Sequence, residues 1–341
     1  MYHKRIVVDF DDTLAFHQNR KFNEALPNLP LIEKLNGLYD QGWQIDIFTA
    51  RGSISCKTRE EARQKYEAGM KDWLEQHNVK YHTLSFDKPL AAYYIDDKGI
   101  MPSDFLDVDI RELEGGLSGT EIYTDGKVVH KQDANAHSTR EWFTVTQAVG
   151  IKTPNIRRVV GDTITMDYIS HDEKFFENNF YIALGIIQTQ LEIMKTIRNE
   201  SVFTFESYRS RIRDHAENSK QDLLVSVADS LNGMFIEPSF AHGDFGIKNM
   251  LFKGSDLYLI DPICNSFGCT ELDAAKLCAS LIINKYDHKI IDDTIDYMAL
   301  VNRINSYAFK ALIASEITRV YKYHPDKNFI MNCVKYVYQH Q

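Results

Sequence analysis

Two groups of acidic and polar residues in this sequence have the types and the spacing that phosphate chemistry requires. The first is Asp9-Phe-Asp11-Asp12-Thr13, where the β-branched run at residues 5–9 ends. A carboxylate at the end of a buried strand can attack phosphorus and form an acyl phosphate. A second carboxylate two residues later can protonate the leaving oxygen and then activate water. The spacing therefore predicts Asp9 as a nucleophile and Asp11 as an acid and base.

This arrangement needs positive charge, because two carboxylates and a phosphate dianion repel one another. Magnesium suits a site made only of oxygen ligands. Lys88 can neutralise the nucleophile and the phosphate, and Thr49 can donate a hydrogen bond to a phosphate oxygen. The predicted magnesium ligands of the first group are Asp9, Asp11, Asp96 and Asp97.

The second group is His242-Gly-Asp244-Phe-Gly-Ile-Lys-Asn249, followed by Asp261 after the apolar run at residues 257–260. In phosphoryl transfer from a nucleotide, an aspartate accepts the proton of the attacking hydroxyl. An asparagine five residues later and an aspartate beyond the next strand hold magnesium against the ATP phosphates. The second group therefore predicts Asp244 as a catalytic base, and Asn249 and Asp261 as ligands of magnesium and nucleotide.

Residues upstream of this group can complete a nucleotide site. Backbone amides of the run Gly115-Gly-Leu-Ser-Gly119 can approach phosphates closely, although the run also suits a simple linker. Lys131 follows the Asp125-Gly126 turn and can pair with phosphate oxygens, and Glu141 can hold that lysine in an ion pair. A chain reversal at Asp167 would form a hinge beside the adenine. The predicted nucleotide-binding residues are Gly116, Ser118, Gly119, Lys131, Glu141, Asp167, Asn249 and Asp261.

Each group also has a plainer explanation. Aspartates are common in turns that end strands, so residues 9–12 alone would favour a turn. His242 suits a hydrogen-bonded core histidine that braces its loop. The combination with further polar residues on successive strand ends favours catalysis for the first group. Asp244, Asn249 and Asp261 are all present, whereas a pseudokinase would lack one of the three.

The pattern around the first group predicts the element types that position it. Strand patterns at residues 5–9, 43–49 and 93–95 alternate with helical patterns that begin near Leu31 and Lys57. This alternation predicts a doubly wound, parallel α/β sheet, whose ligand site lies beyond the carboxyl ends of the strands. Each predicted strand delivers polar residues of the first group to that edge.

From about Asp107 the pattern changes to short strands separated by turns, and from about Asp172 it is mostly helical. The predicted domains are residues 1–110 and 111–341, the second with a small β-rich lobe at about 113–168 and a helical lobe at about 169–341. The apolar spacing of residues 307–338 predicts outer helices of the helical lobe.

Composition limits the kinds of protein that fit. The 341 residues carry a net charge of −9, so no basic surface favours nucleic acid as a partner. No apolar run is long enough for a membrane span, and no secretory signal is recognisable. Five cysteines fit neither a disulfide framework nor a zinc pattern. We therefore expect a cytoplasmic protein with reduced thiols, without membrane insertion, in which oligomerisation is possible.

Four motifs in this order resemble the haloacid dehalogenase superfamily: DFDDT (9–13), FTAR (48–51), FDKP (86–89) and YYIDD (93–97). The continuation at residues 98–105 resembles the small phosphatases of that superfamily found with capsular polysaccharide genes. The resemblance covers about residues 1–107. It implies a Rossmann-like fold without a large cap, Asp9 as nucleophile, Asp11 as acid and base, and an aspartyl-phosphate phosphatase that requires Mg²⁺.

The HGDxxxxN pattern at residues 242–249, with Asp261 followed by Pro262, resembles the aminoglycoside phosphotransferase and choline kinase branch of the protein-kinase-like superfamily. The resemblance covers about residues 113–335 and includes a helix start at Leu272-Asp273-Ala274. It implies a bilobal α+β domain that uses ATP and Mg²⁺ to phosphorylate a small molecule. The glycine run departs from the family pattern because it contains no clean GxGxxG.

A phosphatase and a kinase that acted on one position of one molecule would only hydrolyse ATP. The combination therefore predicts a bifunctional enzyme that acts on ATP and phosphorylated small molecules, such as sugars or polyols, at different positions or steps. A role in capsule or surface-polysaccharide precursor synthesis follows from the resemblance alone. Three alternatives stay open: an antibiotic phosphotransferase with a fused hydrolase, a regulatory pseudokinase fused to a phosphatase, and a kinase whose first domain only senses phosphate.

Overall fold

The structure is a computed structural model that describes residues 4–16, 24–91, 99–113, 120–197, 206, 209–210, 212–214, 222–234, 236, 238–263 and 267–339. The chain divides into two units, Met1–Ile110 and Arg111–Gln341. Within the described ranges, the helices are all too short or too polar to cross a membrane.

The first unit is built around a parallel sheet. Its elements in chain order are β1 (Arg5–Val8), β2 (Ala15–Phe16), β3 (Leu26–Pro27), α1 (Leu29–Asp40), β4 (Gln44–Phe48), α2 (Arg59–Gln76), β5 (Thr83–Ser85) and α3 (Pro102–Leu106). Strands β1, β4 and β5 pair in that order, each parallel to its neighbour. The predicted strand at residues 93–95 lies outside the described residues, and β5 is a strand that the sequence pattern missed because its Thr-Leu-Ser run is so short.

Apolar helix faces cover this sheet. Leu31, Ile32, Leu35 and Leu38 recur at helical spacing on α1 and are all buried. Helix α2 begins after Thr58, whose side chain accepts a hydrogen bond from the Glu61 N–H. Burying one such Leu or Ile side chain contributes about 1.5–3 kcal/mol, so these faces fix the helices on the sheet.

The second unit begins with an antiparallel sheet and continues mostly as helices. Its elements are β6 (Arg111–Glu112), β7 (Ile122–Thr124), β8 (Val128–Gln132), α4 (Ala136–Ala148), β9 (Ile156–Val160), β10 (Thr163–Asp167), α5 (Phe175–Asn178), α6 (Phe180–Thr196), α7 (Asp222–Ser230), β11 (Ser239–Phe240), a 3₁₀ turn (Ile247–Asn249), β12 (Met250–Lys253), β13 (Asp256–Leu259), β14 (Phe267–Gly268), α8 (Thr270–Ile283), α9 (His288–Val301), α10 (Ser306–Arg319) and α11 (Lys327–Gln339). The sheet order is β6-β7-β8-β10-β9.

Two hairpins in this unit carry residues of the predicted site. The β7–β8 hairpin turns at Asp125-Gly126, where Gly126 has φ +83° and the Asp125 carboxylate accepts the N–H of Val128. Strands β12 and β13 pair from Met250↔Leu259 to Lys253↔Asp256, which leaves a two-residue turn at Gly254-Ser255. The second hairpin therefore brings the residues before β12 next to those after β13.

Helix α10 lies in the core of the second unit, so the prediction that residues 307–338 form only outer helices is wrong for this helix. Almost every residue from Phe309 to Thr318 is buried. Small residues such as Ala311, Ala314 and Ser315 allow close packing on several sides of this helix.

Candidate active sites

The loop after β1 is anchored by an apolar residue between its two predicted catalytic aspartates. Phe10 is fully buried and packs edge-on against Trp73, with ring centroids 5.2 Å apart. The chain then turns back, and Asp12 adopts a left-handed backbone with φ 58°. Asparagine and aspartate tolerate this conformation better than most residues. The turn therefore holds Asp9 and Asp11 at the end of the strand.

Lys88 forms an ion pair with Asp9 in the structure. Its Nζ lies 2.7 Å from Asp9 Oδ2, while Asp9 Oδ1 accepts the Phe10 N–H at 2.9 Å. Strand β5 positions this lysine, which follows three residues after the strand ends at Ser85. The Thr49 N–H donates to the Ser85 carbonyl and so holds the end of β5 against the end of β4. Burial raises the pKa of Asp9 above its ordinary value, and the hydrogen bond from Lys88 offsets this only in part.

Asp11 is held by two residues that follow β4. The Thr49 hydroxyl donates to Asp11 Oδ2 at 3.0 Å. The Arg51 guanidinium bonds to both carboxylate oxygens, through Nη2 to Oδ1 and through Nε to Oδ2. Arg51 belongs to the FTAR motif and follows the second predicted strand, so its position predicted that it lies at the sheet edge but predicted no chemical role. The structure adds it to the site as the cation that contacts the predicted acid and base.

The magnesium site of the first unit stays a prediction. Asp96 and Asp97 lie outside the described residues. Within the described part of the chain, no group of three or more His, Cys, Asp or Glu side chains could hold a metal ion. Asp9 and Asp11 supply only oxygen donors, which is the chemistry that magnesium prefers.

In the second unit, His242 braces the loop that carries Asp244. Its Nε2 lies 2.9 Å from the Ile260 carbonyl oxygen, and the Asp244 N–H donates to its Nδ1 at 3.3 Å. The ring is completely buried, and burial lowers the pKa of His242 to about 4. The histidine is therefore neutral and structural, as expected for a hydrogen-bonded core histidine.

Both carboxylate oxygens of Asp244 have partners. Lys276 Nζ, from helix α8, lies 2.9 Å from Oδ1, and Asn249 Nδ2 donates to Oδ2 at 3.1 Å. Burial raises the pKa of Asp244, but the charge and hydrogen bond of Lys276, with help from Arg319, outweigh burial and hold the pKa below its ordinary value. Asp244 is thus an ionised carboxylate at neutral pH.

The β12–β13 hairpin brings Asn249 and Asp261 together. The Ile260 N–H donates to the Asn249 carbonyl at 3.1 Å, so Asp261 directly follows the residue paired with Asn249. Asp261 has a left-handed backbone with φ 57°, a conformation that costs on the order of 1–3 kcal/mol and clusters at functional sites. Lys131 Nζ lies 2.8 Å from Asp261 Oδ1. The hairpin and the loop thus gather Asp244, Asn249 and Asp261 in one place.

This donor set suits magnesium bound to a nucleotide. The amide nitrogen of Asn249 is engaged with Asp244, which leaves its Oδ1 as the ligand atom. Magnesium in such sites takes one or two protein oxygen ligands and completes its octahedron with phosphates and water. Asn249 and Asp261 can supply those protein ligands.

The structure changes the predicted surroundings of Lys131. The expected ion pair with Glu141 is not formed: Lys131 contacts Asp261 and, at 3.7 Å, Asp133. Glu141 is exposed on α4, because the helix buries the face that contains Trp142 and Phe143. Its role at the nucleotide stays a prediction.

The other predicted nucleotide residues are placed only in part. Asp167 accepts hydrogen bonds from Asn155 at 2.9 Å and Arg157 at 2.6 Å. The Asn155 hydrogen bond, more than the Arg157 charge, holds the pKa of Asp167 below its ordinary value. Asp167 is therefore fixed at the end of β10 by residues of the same small lobe. Gly116, Ser118 and Gly119 lie outside the described residues.

The sequence patterns did not reveal the residues of α8 and α10 that bond to the backbone of the Asp244 loop. Asp273 accepts the backbone N–H groups of His242 at 2.7 Å and Gly243 at 2.8 Å, and its burial raises the pKa of Asp273 to about 7. Arg319, at the end of α10, donates to the Gly243 carbonyl at 2.8 Å. The resemblance included Asp273 only as part of a helix start, and nothing in the local pattern marked Arg319.

Comparison with protein-family models gave no match, and comparison with curated proteins gave none. Among solved structures, the chain is similar to a choline/ethanolamine kinase family protein from Mesorhizobium loti, with 12% identity, a TM-score of 0.50, and coverage of 67% of this chain and 87% of that chain. It is also similar to the gentamicin complex of APH(2")-IIa, with 14% identity, a TM-score of 0.45, and coverage of 73% and 98%. A crystallised target from Vibrio cholerae is 29% identical over 31% of this chain and 89% of that chain, with a TM-score of 0.28.

The likeness to the Mesorhizobium loti protein shows a kinase-like fold over about two thirds of the chain. The coarse prediction of a mixed α/β protein with a kinase-like part is thereby confirmed. The expected haloacid dehalogenase fold stays a prediction.

Proposed function

We propose that the second unit is a kinase that transfers the γ-phosphoryl group of ATP to a hydroxyl group of a small metabolite such as a sugar or polyol. The observation that carries this proposal is the gathering of Asp244, Asn249 and Asp261 around one loop and one hairpin, with Lys131 bonded to Asp261. The kinase-like fold supports the same conclusion.

The residues of this site divide the work in the proposed reaction. Asp244 accepts the proton of the acceptor hydroxyl and orients its oxygen toward phosphorus. Asn249 and Asp261 would hold magnesium, which when bound neutralises the phosphate charge. Lys131, now paired with Asp261, is placed to bind phosphate oxygens. These roles require positioning and charge rather than covalent chemistry, as is usual for phosphoryl transfer.

We further propose that the first unit is a magnesium-dependent phosphatase. The specific observations in favour are the Lys88–Asp9 ion pair and the grip of Thr49 and Arg51 on Asp11. Asp9 attacks the phosphoester to form an acyl phosphate, and Asp11 protonates the leaving oxygen and then activates water. Supply of capsule or surface-polysaccharide precursors rests on the motif resemblance alone.

Two single variants test the pair of activities in the full chain. Purified protein is incubated with magnesium, radiolabelled ATP and panels of sugars, polyols and aminoglycosides, and separately with p-nitrophenyl phosphate. We expect Asp244→Asn to abolish transfer from ATP while phosphatase activity stays, and Asp9→Asn to do the reverse.

The outcomes separate the alternatives. Transfer to aminoglycosides but not to sugars or polyols would favour the antibiotic phosphotransferase. Phosphatase activity without any transfer would favour a pseudokinase. Transfer without phosphatase activity would leave the first unit as a phosphate sensor, and loss of both activities in both variants would contradict independent sites.

A further inference from the structure

Helix α8 supports the Asp244 loop along one face. Asp273, Lys276 and Ser280 are three and four residues apart, a spacing that places them on the same side of a helix. Asp273 accepts the N–H groups of His242 and Gly243, and the Ser280 hydroxyl accepts the Ile247 N–H at 3.0 Å. The outer two residues of this face therefore hold the backbone of the loop at both ends.

Lys276 lies between these two residues on the helix and contacts the side chain of Asp244 instead of the loop backbone. Its Nζ lies 2.9 Å from Asp244 Oδ1, and only 13% of the lysine side chain is exposed. Asn249 already donates to the other carboxylate oxygen. Two donors on different oxygens fix the rotation of the carboxylate, and its remaining lone pairs can accept a hydroxyl proton.

Stability alone does not account for a lysine at this position. The lysine of this ion pair is largely buried, whereas 36% of the Asp244 side chain is exposed. Such a pair is weak grounds for stability, since solvent screens the exposed partner and desolvation of the buried one opposes the attraction between the charges. The loop backbone is already bonded to Asp273 and Ser280. The ammonium group of Lys276 thus serves the Asp244 carboxylate and not the backbone of the loop.

We propose that Lys276 is a positioning residue for the catalytic base Asp244. This inference rests on the proposed kinase function and adds a residue to it. Lys276 holds the carboxylate in the rotation that meets the acceptor hydroxyl. It has no bond to Asn249, Asp261 or Lys131 among the described residues, so its loss should slow the chemical step and leave nucleotide binding nearly unchanged.

The test uses the full chain with magnesium–ATP and water as the acceptor, measured as ADP release, so no metabolite need be known. We expect Lys276→Met to lower kcat about 10-fold to 100-fold, the size of effect that misplacement of a reacting group causes. The KM for ATP should change less than about twofold, because the phosphate-side residues are untouched. Lys276→Arg should restore kcat to within about fivefold of the wild type, since it keeps the charge.

Lys289→Met is the matched control, because Lys289 is exposed at the start of α9. Its kcat and KM should equal those of the wild type. Melting temperatures are measured for Lys276→Met, Lys276→Gln and Lys276→Arg. Loss of kcat that does not follow the loss of melting temperature supports positioning.

Three results would overturn the inference. Wild-type kcat in Lys276→Met, with Asp244→Asn inactive, rejects Lys276 while the kinase function stands. Loss of kcat in proportion to melting temperature across the three variants indicates a structural role only. If the wild type releases ADP no faster than Asp244→Asn and also transfers phosphate to no acceptor of the panel above, the kinase function falls together with the inference. If it transfers phosphate to an acceptor of the panel, the same kcat and KM comparison is made with that acceptor.

Discussion

Asp11 in the first unit and Asp244 in the second are held in similar ways by different parts of the fold. Each carboxylate bonds to one cation and one neutral donor: Arg51 and Thr49 for Asp11, and Lys276 and Asn249 for Asp244. In the first site the cation comes from the loop after the neighbouring strand. In the second it comes from a helix that packs beneath the loop. The same combination of a cation and a neutral donor on a carboxylate can therefore be built from a sheet edge or from a helix face.

The two sites differ in which influence sets the charge of the key carboxylate. At Asp9, the proposed nucleophile, burial prevails and raises the pKa despite Lys88. At Asp244, the proposed base, neighbouring cations prevail and lower the pKa despite burial. Lys88 lies as close to Asp9 as Lys276 does to Asp244, but Asp244 also feels Arg319, whereas Asp9 feels the negative charge of Asp11. The balance of neighbouring charges, more than the depth of burial, thus decides which carboxylate is most firmly ionised.

The largest expected effect tests the proposed role of Asp11 as acid and base, which parallels the proposed role of Asp244 as base. Asp11→Asn should lower hydrolysis of p-nitrophenyl phosphate by about 10²–10⁴-fold, the usual contribution of a general acid and base. Asp12→Asn is the matched control, because Asp12 is exposed and asparagine tolerates its left-handed backbone. Equal losses in both variants would mean that only the local charge matters.

A smaller effect tests whether Lys131 of the second site binds the phosphates of ATP. Lys131→Met should weaken magnesium–ATP binding about 10-fold to 100-fold, since a hydrogen bond to a charged group contributes about 1.5–3 kcal/mol. Isothermal titration calorimetry measures this affinity. Lys127→Met, at an exposed position in the same hairpin, should bind like the wild type. Unchanged binding in Lys131→Met would remove this lysine from the nucleotide site.

The buried histidine gives the second site a pH dependence of its own. The folded pKa of His242, about 4, lies below the unfolded value of 6.5. Stability from His242 is therefore present above about pH 6.5 and is lost as the pH falls toward 4. When the pH falls from 7 to 5, the wild type should therefore lose about 2 kcal/mol of unfolding free energy that His242→Gln does not lose.

Urea unfolding at the two pH values, followed by hydrogen exchange in the helices of the second unit, measures this difference. Asp273 titrates in the same range, with a pKa raised to about 7, but it is present in both proteins and cancels in the difference. If the difference in unfolding free energy between wild type and variant is the same at both pH values, His242 takes up a proton in the folded state as readily as in the unfolded state.

The smallest effect concerns the left-handed aspartates, Asp12 and Asp261, that follow a strand in each site. Asp12→Ala should lower the unfolding free energy of the first unit by about 1 kcal/mol more than Asp12→Asn does, because alanine is strained in that conformation. Denaturant melts of the two variants make the comparison. Equal stability would indicate that the backbone relaxes at this turn.

How much could be predicted from the sequence depends on how local each contact is. The motifs predicted that Asp9, Asp11 and Thr49 would meet, because they follow predicted strands whose ends share an edge. Lys88 was assigned through its charge and its motif, because the strand that precedes it was not predicted. The contact of Asp244 with Asn249 also lies within one loop. Their chemical roles remain predictions.

The supports of the second site could not be predicted in this way. Lys276 and Arg319 reach the loop from two helices, and their contacts depend on how those helices pack. The burial of α10 was missed for a related reason, since its helical spacing fits either a surface or a core position until its neighbours are known. The ion pair expected between Glu141 and Lys131 differs from the observed contacts because spacing alone did not reveal which face of α4 is buried.

The two-residue turn at Gly254-Ser255 sets the distance between the proposed cation-binding oxygens of the second unit. It sets the register in which Met250 faces Leu259, and hence the separation of Asn249 from Asp261. Side chains alternate between the two sides of a strand, so a slip of one residue would swing one oxygen away from the other. A hairpin tip ten residues after the proposed base thus determines whether both proposed ligand oxygens can bind one magnesium ion.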